Sequence, residues 1–272
     1  GIAGQAPLAF AVEAFGWRQT MVWAGMFAVA LAGLTALIVR NSPTPDTADH
    51  TRANRWAEIW SGFRETMTRN EIWRVAIVAM SMSGPMLALG GLWGVPFLAS
   101  AYELDRPTSA FYTSFSLLGW AMGAPFFGWL SDRVGSRKLP LVFGTGLNAG
   151  LIAIIAFMPG MSLTLMAAVF FLSGFTGGCM VISFALGREV SAKRLHGSVS
   201  GLINGMTVGA GAVLQPIIGW LLDLRWDGTM LAGARVYQTS DYRFAFLCFV
   251  AWAGAGFVVS LTLRETNCRQ IV

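Results

Sequence analysis

The stretch GWLSDRVGSRK, residues 128–138, crowds Asp132, Arg133, Arg137 and Lys138 into a short turn between two long apolar runs. Ionic side chains gather where a chain leaves an apolar phase for water, so the turn marks such a boundary. The runs on either side are long enough to cross the apolar phase as helices.

Hydrophobic residues make up 55% of the 272 residues and charged residues 12%, with a mean hydropathy of +0.58. A soluble domain carries about 25% charged residues to solvate its surface, so water is not the main solvent of this chain. A hydrocarbon core about 30 Å thick takes roughly 20 apolar residues per helical span. Such runs cover residues 20–39, 73–100, 109–130, 139–158, 161–187, 197–222 and 244–263. A shorter apolar piece, Gly1 to Val12, precedes them and reads as the tail of a further span. The expectation is therefore an N-terminally truncated part of a longer membrane protein.

Arg40 to Asn70 is the long polar stretch, and its first part, with Pro43 and Pro45, reads as a linker. Its second part places Trp56, Ile59, Trp60, Phe63 and Met67 at helical spacing. That pattern fits either an interfacial helix lying on a membrane or an amphipathic connector packed on the helical bundle.

Basic residues fix the expected orientation, because short cytoplasmic loops retain Lys and Arg. Of the 19 Lys and Arg, only Arg18, Arg106, Arg225, Arg235 and Arg243 fall in one set of alternate loops; the rest fall in the other set. The second set, which holds the 128–138 turn and the C-terminus, is thereby assigned to the cytoplasm. The net charge of +5 is then a topology signal, and its spread over separate loops argues against a nucleic-acid surface. Cys179, Cys248 and Cys268 show no paired spacing, and two histidines form no cluster, so neither a metal site nor a catalytic constellation emerges.

The turn resembles the loop motif of the major facilitator superfamily, G-x-L-x-D-R-x-G-R-[RK], with Gly128, Leu130, Asp132, Arg133, Gly135, Arg137 and Lys138 in register. Ser136 stands where that family often has a basic residue. The resemblance implies an all-α membrane fold of two six-helix halves joined by a long cytoplasmic loop, with the motif between helices two and three and again between eight and nine. On that scheme residues 1–40 hold the end of family helix five and helix six. Residues 41–71 are the central cytoplasmic loop with its amphipathic helix, and residues 72–272 are helices seven to twelve. GWRQTM, GLWGVPFL, GWAMGAPFFGWLSDR and LQPIIGWLLD further resemble bacterial sugar-phosphate and organic-anion permeases.

The implied activity is secondary active transport of a small polar solute, an organic anion or metabolite, by alternating access across the bacterial inner membrane. The implied partners are the lipid bilayer, the solute, a coupling proton or counter-substrate, and the missing N-terminal half. No cofactor and no enzymatic activity are implied. The alternative is a transporter-like sensor that binds a solute without moving it.

Within that frame Gly128, Asp132, Arg133, Gly135, Arg137 and Lys138 form the expected cytoplasmic gating motif. Gly84, Pro85, Gly90, Gly91 and Pro96 interrupt the span at 73–100 and permit a bend. Gly197, Gly201, Gly205 and Gly209 recur every four residues, a ridge on which another helix can pack closely. Asn204 and Gln215 project from nearly one face of the same span, and a lipid-facing carboxamide is costly, so they bond a neighbouring helix or line an aqueous path. Tyr112, Ser116 and Trp120 form a polar and aromatic stripe that lines a cavity or packs inside the bundle. With Trp93 they complete the candidate path residues. Every Asp, Glu, Lys and Arg sits at a span end or in a loop, so no ion pair at mid-membrane is expected.

Overall fold

The computed structural model describes residues 11–12, 14–39, 52–158, 160–231 and 234–271. Most of the expected span tail at 1–12, and the linker over 41–51, lie outside the described residues. The chain divides into one unit over Gly1–Glu58 and another over Ile59–Val272.

The first unit contains α1, Trp17–Ile38, whose only buried residue is Thr20. Apolar side chains cover it on all sides, including Met21, Val22, Phe27, Val29 and Leu37. A helix apolar all round has no polar face to give to water and is suited to a bilayer. At 22 residues it is about 33 Å long, enough to span the hydrocarbon core.

A second helix, α2 (Arg52–Met67), leads into the second unit. There α3 (Asn70–Ala88) passes through a π-helical turn, Leu89–Trp93, into α4 (Gly94–Tyr102) without a loop. Helix α5 (Arg106–Val134) is followed by α6 (Lys138–Phe157). Next, α7 (Leu163–Gly177) continues through a 3₁₀ turn, Gly178–Met180, into α8 (Val181–Glu189). The chain ends with α9 (His196–Asp223), a two-residue antiparallel pair formed by β1 (Met230–Leu231) and β2 (Ala234–Arg235), and α10 (Thr239–Leu261).

Among the described residues six helices are long and apolar enough to cross a membrane: Trp17–Ile38, Asn70–Tyr102, Lys138–Phe157, Leu163–Glu189, Lys193–Asp223 and Thr239–Leu261. The seventh expected span is α5, whose 29 residues give ample length. Its hydropathy is diluted by Ser109, Thr113, Ser116 and Gly119, all of them buried against other helices.

The core of the second unit is layered along the helices. One apolar cluster joins Phe97, Phe170, Phe246 and Phe249 with Ile155, Leu214 and Ile218 at the far end. Another joins Ile72, Val75, Leu141, Ile182, Leu186, Val199 and Ile203 at the end that bears the 128–138 turn. Between them lies a belt of small and polar residues: Ser83 and Gly84 on α3, Ser116 and Gly119 on α5, Asn148 on α6, Ser173 and Gly174 on α7, Thr207 on α9 and Gly256 on α10. Helices α3, α5, α6, α7, α9 and α10 all contribute to it. The bundle is therefore tight and apolar at its two ends and polar at its waist.

Candidate functional site

The 128–138 turn owes its shape to Gly135, which closes α5 at φ 68°. That left-handed conformation suits glycine, which has no Cβ to clash. The N–H groups of Gly135 and Ser136 both donate to the Ser131 carbonyl, 3.0 and 3.3 Å away, and the chain turns straight into α6.

Arg137 then folds back beneath the turn and becomes a hub. Its guanidinium donates to Asp132 Oδ1 at 2.7 Å, to Ser131 Oγ at 3.0 Å, and through Nε and Nη2 to Glu189 Oε1 at 3.0 and 2.8 Å. The Arg137 side chain is 11% exposed and that of Glu189 14%, whereas Asp132 is 69% exposed. Burial works against the charged guanidinium, but Glu189 and Asp132 outweigh it and raise its pKa. The hub is thus a buried pair with Glu189 and an outward arm to Asp132 that is open to further contacts.

The segment after α10 straps this hub. Glu265 accepts hydrogen bonds from Ser136 Oγ at 2.5 Å and from the backbone N–H groups of Arg137 and Lys138 at 2.9 and 3.0 Å. A carboxylate there satisfies the free donors at the start of α6 and complements its helix dipole. Thr266 Oγ1 donates to Glu189 Oε2 at 2.5 Å, and the N–H of Ile271 donates to the Glu189 carbonyl at 3.0 Å. The ends of α5, α6 and α8 and the C-terminal segment therefore meet at one cluster.

Burial pushes the Glu265 carboxyl up, but hydrogen bonds from Ser136 and from backbone N–H groups prevail and hold it at about 2, against an ordinary 4.5. A depressed carboxyl stabilises the fold above its unfolded value and ceases to do so as pH falls through its folded value. The strap is expected to loosen between pH 4.5 and about 2. Pepsin cleavage of the 262–271 segment should accelerate over that window, and Glu265→Gln should make cleavage largely independent of pH within it. A strap equally resistant at both limits would remove this role for Glu265.

The other motif residues contribute separately. Lys138 acts here through its backbone N–H, and Arg133 lies 5.5 Å over the Trp129 ring, away from the hub. Gly128 sits beside α8, where an added Cβ would come within 3.9 Å of Val181, an ordinary contact.

The candidate path residues divide between the waist and the surface. Gln215 Nε2 donates to the Leu87 carbonyl at 3.1 Å, and Trp93 Nε1 donates to the Gln215 carbonyl at 3.0 Å. The first bond ties α9 to the last turn of α3 and the second ties it to the π-helical turn, which supplies the break in the 70–102 span. Asn204 lies eleven residues before Gln215 and is exposed. Tyr112 packs against the far apolar cluster and Trp120 against the other, while Ser116 is buried at the waist between them. A small cleft opens beside Ser116, lined also by Pro85, Gly90, Asn148, Ser173 and Gly174.

Asn148, which sequence reasoning passed over, is the most committed polar group in that waist. It is buried and donates to the Ser173 carbonyl at 2.7 Å and to Thr176 Oγ1 at 3.1 Å. The signal was present as a lone carboxamide inside the apolar run LVFGTGLNAGLIAIIAF. Trp120 Nε1 is buried without a hydrogen-bond partner among the described residues.

Glycines set the closest helix crossing, on a pair of helices that the four-residue spacing in α9 does not indicate. A Cβ on Gly119 or Gly123 of α5 would stand 2.0 Å from the carbonyl oxygens of Phe171 and Phe175, and one on Gly174 of α7 would stand 1.8 Å from that of Ser116. Gly178, just beyond α7, would meet the Ala124 nitrogen at 2.4 Å. Two four-residue glycine pairs thus interlock backbone against backbone. At Gly197, Gly201, Gly205 and Gly209 an added Cβ meets nothing within 4 Å, so this structure leaves their face of α9 uncovered.

Comparison with known proteins agrees with this architecture. The chain shares 27% identity over 175 residues with multidrug resistance protein MdtL of Vibrio parahaemolyticus, covering 62% of this chain and 38% of that protein. It shares 32% over 185 residues with MdtL of Shewanella oneidensis, covering 65% and 41%. Similarity to the membrane sensor protein UhpC of Salmonella typhimurium reaches 28% identity over 239 residues, 79% of this chain and 52% of the relative. The chain thus spans between 38% and 52% of the length of these relatives. The Major Facilitator Superfamily profile matches residues 2–216 and again residues 92–267. With a loop motif folded into an ion-pair hub and a predominantly helical, membrane-spanning architecture, the chain is an integral membrane protein of the major facilitator superfamily.

Proposed function

We propose that the chain supplies the second six-helix half, residues 72–272, and the end of the first half, residues 1–40, of a transporter that moves a small polar solute by alternating access. The observation that carries this reading is the Arg137 hub. It gathers three helix ends and the C-terminal strap at one face of the bundle, while Asp132 keeps an exposed carboxylate for a helix of the other half. A carboxylate near a helix N-terminus contributes about 0.3 to 1 kcal/mol when exposed and up to about 2 when partly buried. That is enough to shift a two-state equilibrium severalfold or more. The uncovered glycine face of α9 is a second surface for the other half, since small residues admit a close backbone.

Ser116, Trp93, Tyr112, Trp120, Asn204 and Gln215 are the proposed path and path-supporting residues. All are uncharged, which suits hydrogen bonding to an organic solute. Organic anions and metabolites stand first as substrates, driven by a proton or counter-substrate across a bacterial inner membrane. The hub faces the cytoplasm in this reading, on the evidence of the basic-residue distribution. With Cys179, Cys248 and Cys268 replaced by alanine, a Val134→Cys chain is then expected to react with a membrane-impermeant thiol reagent from the cytoplasmic side only, and a Thr229→Cys chain from the outside only. Reaction of both from one side would overturn the topology.

A second reading, a membrane sensor, is favoured by the similarity to UhpC over 79% of this chain. Saturable binding without flux in reconstituted vesicles is its signature.

A further inference from the structure

Helix α2 has a fixed roll against the bundle. An added Cβ on Gly62 would meet Leu195 Cδ2 at 3.4 Å and Ser198 Oγ at 3.5 Å, Thr66 is fully buried, and Glu65 pairs with Arg194 at 2.7 Å and with Arg69 at 2.9 Å. Trp73 Nε1 donates to the Met67 carbonyl at 2.8 Å and closes the last turn onto α3. These contacts hold the small, polar side of the helix on the start of α9. The adjoining side is apolar and exposed: Ile59 52%, Trp60 69% and Phe63 38%, with the Trp60 and Phe63 rings stacked 5.8 Å apart. Arg64, also exposed, flanks the rings.

We infer that α2 docks its Ile59, Trp60 and Phe63 face into the headgroup boundary of the leaflet on the hub side, as a membrane-surface helix. Three observations select lipid as the occupant. Only Thr68 and Arg69 separate α2 from α3, so its end lies where a membrane span begins. Indole and phenyl rings partition to the boundary between headgroups and acyl chains. Exposed Arg64 and Lys193 give the surroundings positive charge beyond the Glu65 pairs with Arg69 and Arg194, and anionic lipid headgroups attract it. The orientation proposed above enters only in naming this leaflet cytoplasmic; docking itself is independent of transport.

The test uses the full chain with Cys179, Cys248 and Cys268 replaced by alanine and a nitroxide placed at Trp60→Cys, Phe63→Cys or Thr68→Cys. Each chain is reconstituted in nanodiscs of about 3:1 phosphatidylcholine to phosphatidylglycerol, to supply anionic headgroups. Collision rates with oxygen, which concentrates in the bilayer, are compared with those for a water-soluble nickel chelate. Labels at 60 and 63 are expected to favour oxygen over nickel by roughly tenfold relative to the label at 68, as an apolar face buried several ångströms below the surface requires. Nickel access at 60 and 63 equal to that at 68 would show a solvated face. Shielding from both reagents would show a face covered by protein. Either outcome overturns the assignment, and position 63 supplies an independent reading should the indole at 60 be needed for folding.

Discussion

Gly174→Val is expected to leave little folded protein in the membrane. Its Cβ would begin 1.8 Å from the Ser116 carbonyl oxygen, and the obstructing atom is backbone, which cannot rotate away. Helices α5 and α7 would have to separate along their full crossing, because Gly119, Gly123 and Gly178 interlock at the same contact. Overpacking costs about 1–3 kcal/mol where side chains can adjust, and here the loss is expected at or above that upper limit. Gly150→Val is the matched control, since nothing in this structure lies within 4 Å of its added Cβ. Detergent-extracted yield and thermal stability of the two variants decide the matter. Equal stability would mean that the α5–α7 crossing is not the close one.

Glu189→Ala is expected to be the most damaging single change at the hub. It leaves the Arg137 guanidinium, 11% exposed, without its buried partner, and unpairing a buried ion pair costs about 3–5 kcal/mol. Thr266 and the strap lose their anchor at the same time. Arg137→Lys is expected to fall short as well, because one ammonium cannot reproduce the guanidinium fork that bonds Glu189, Ser131 and Asp132 together. The double change Arg137→Met with Glu189→Leu should recover much of the stability, as apolar pairs often replace buried ionic ones. It should not recover transport, because Asp132 loses the partner that positions it. Full transport by the double variant would show that the hub serves stability alone.

The turn and the spans were legible in the sequence because they depend on local features. Apolar runs of membrane length and a cluster of charges state where a helix begins and ends, and the expected span at 73–100 matches the observed 70–102 helix closely. The Pro and Gly residues in that span foretold an irregularity, which takes the form of the π-helical turn at Leu89–Trp93. Partners distant in the chain were not legible. Glu189 and Glu265 read as ordinary span-end charges, and only the folded chain brings them to Arg137 across 52 and 128 residues.

Glycine spacing left the packing partners open for a related reason. Repeats at 197–209, 119–123 and 174–178 look alike in sequence, because a small residue states that a neighbour can approach and not whether one does. Gln215 illustrates the converse. Its position on an apolar helix left two roles open, and its bond to the Leu87 carbonyl supplies a neighbouring-helix partner.

The measurement that bears most directly on the proposed function is solute flux into vesicles holding the twelve-helix assembly, with this chain supplying its second half. A panel of organic anions, sugar phosphates and lipophilic drugs would be compared for the native chain and Asp132→Asn. Saturable uptake of at least one solute is expected, slowed severalfold or more by Asp132→Asn with little change in half-saturation concentration, because the exposed carboxylate biases a conformational equilibrium by about 0.3 to 2 kcal/mol. Saturable binding of a solute with no flux in the native assembly, or uptake unaffected by Asp132→Asn, would contradict the account.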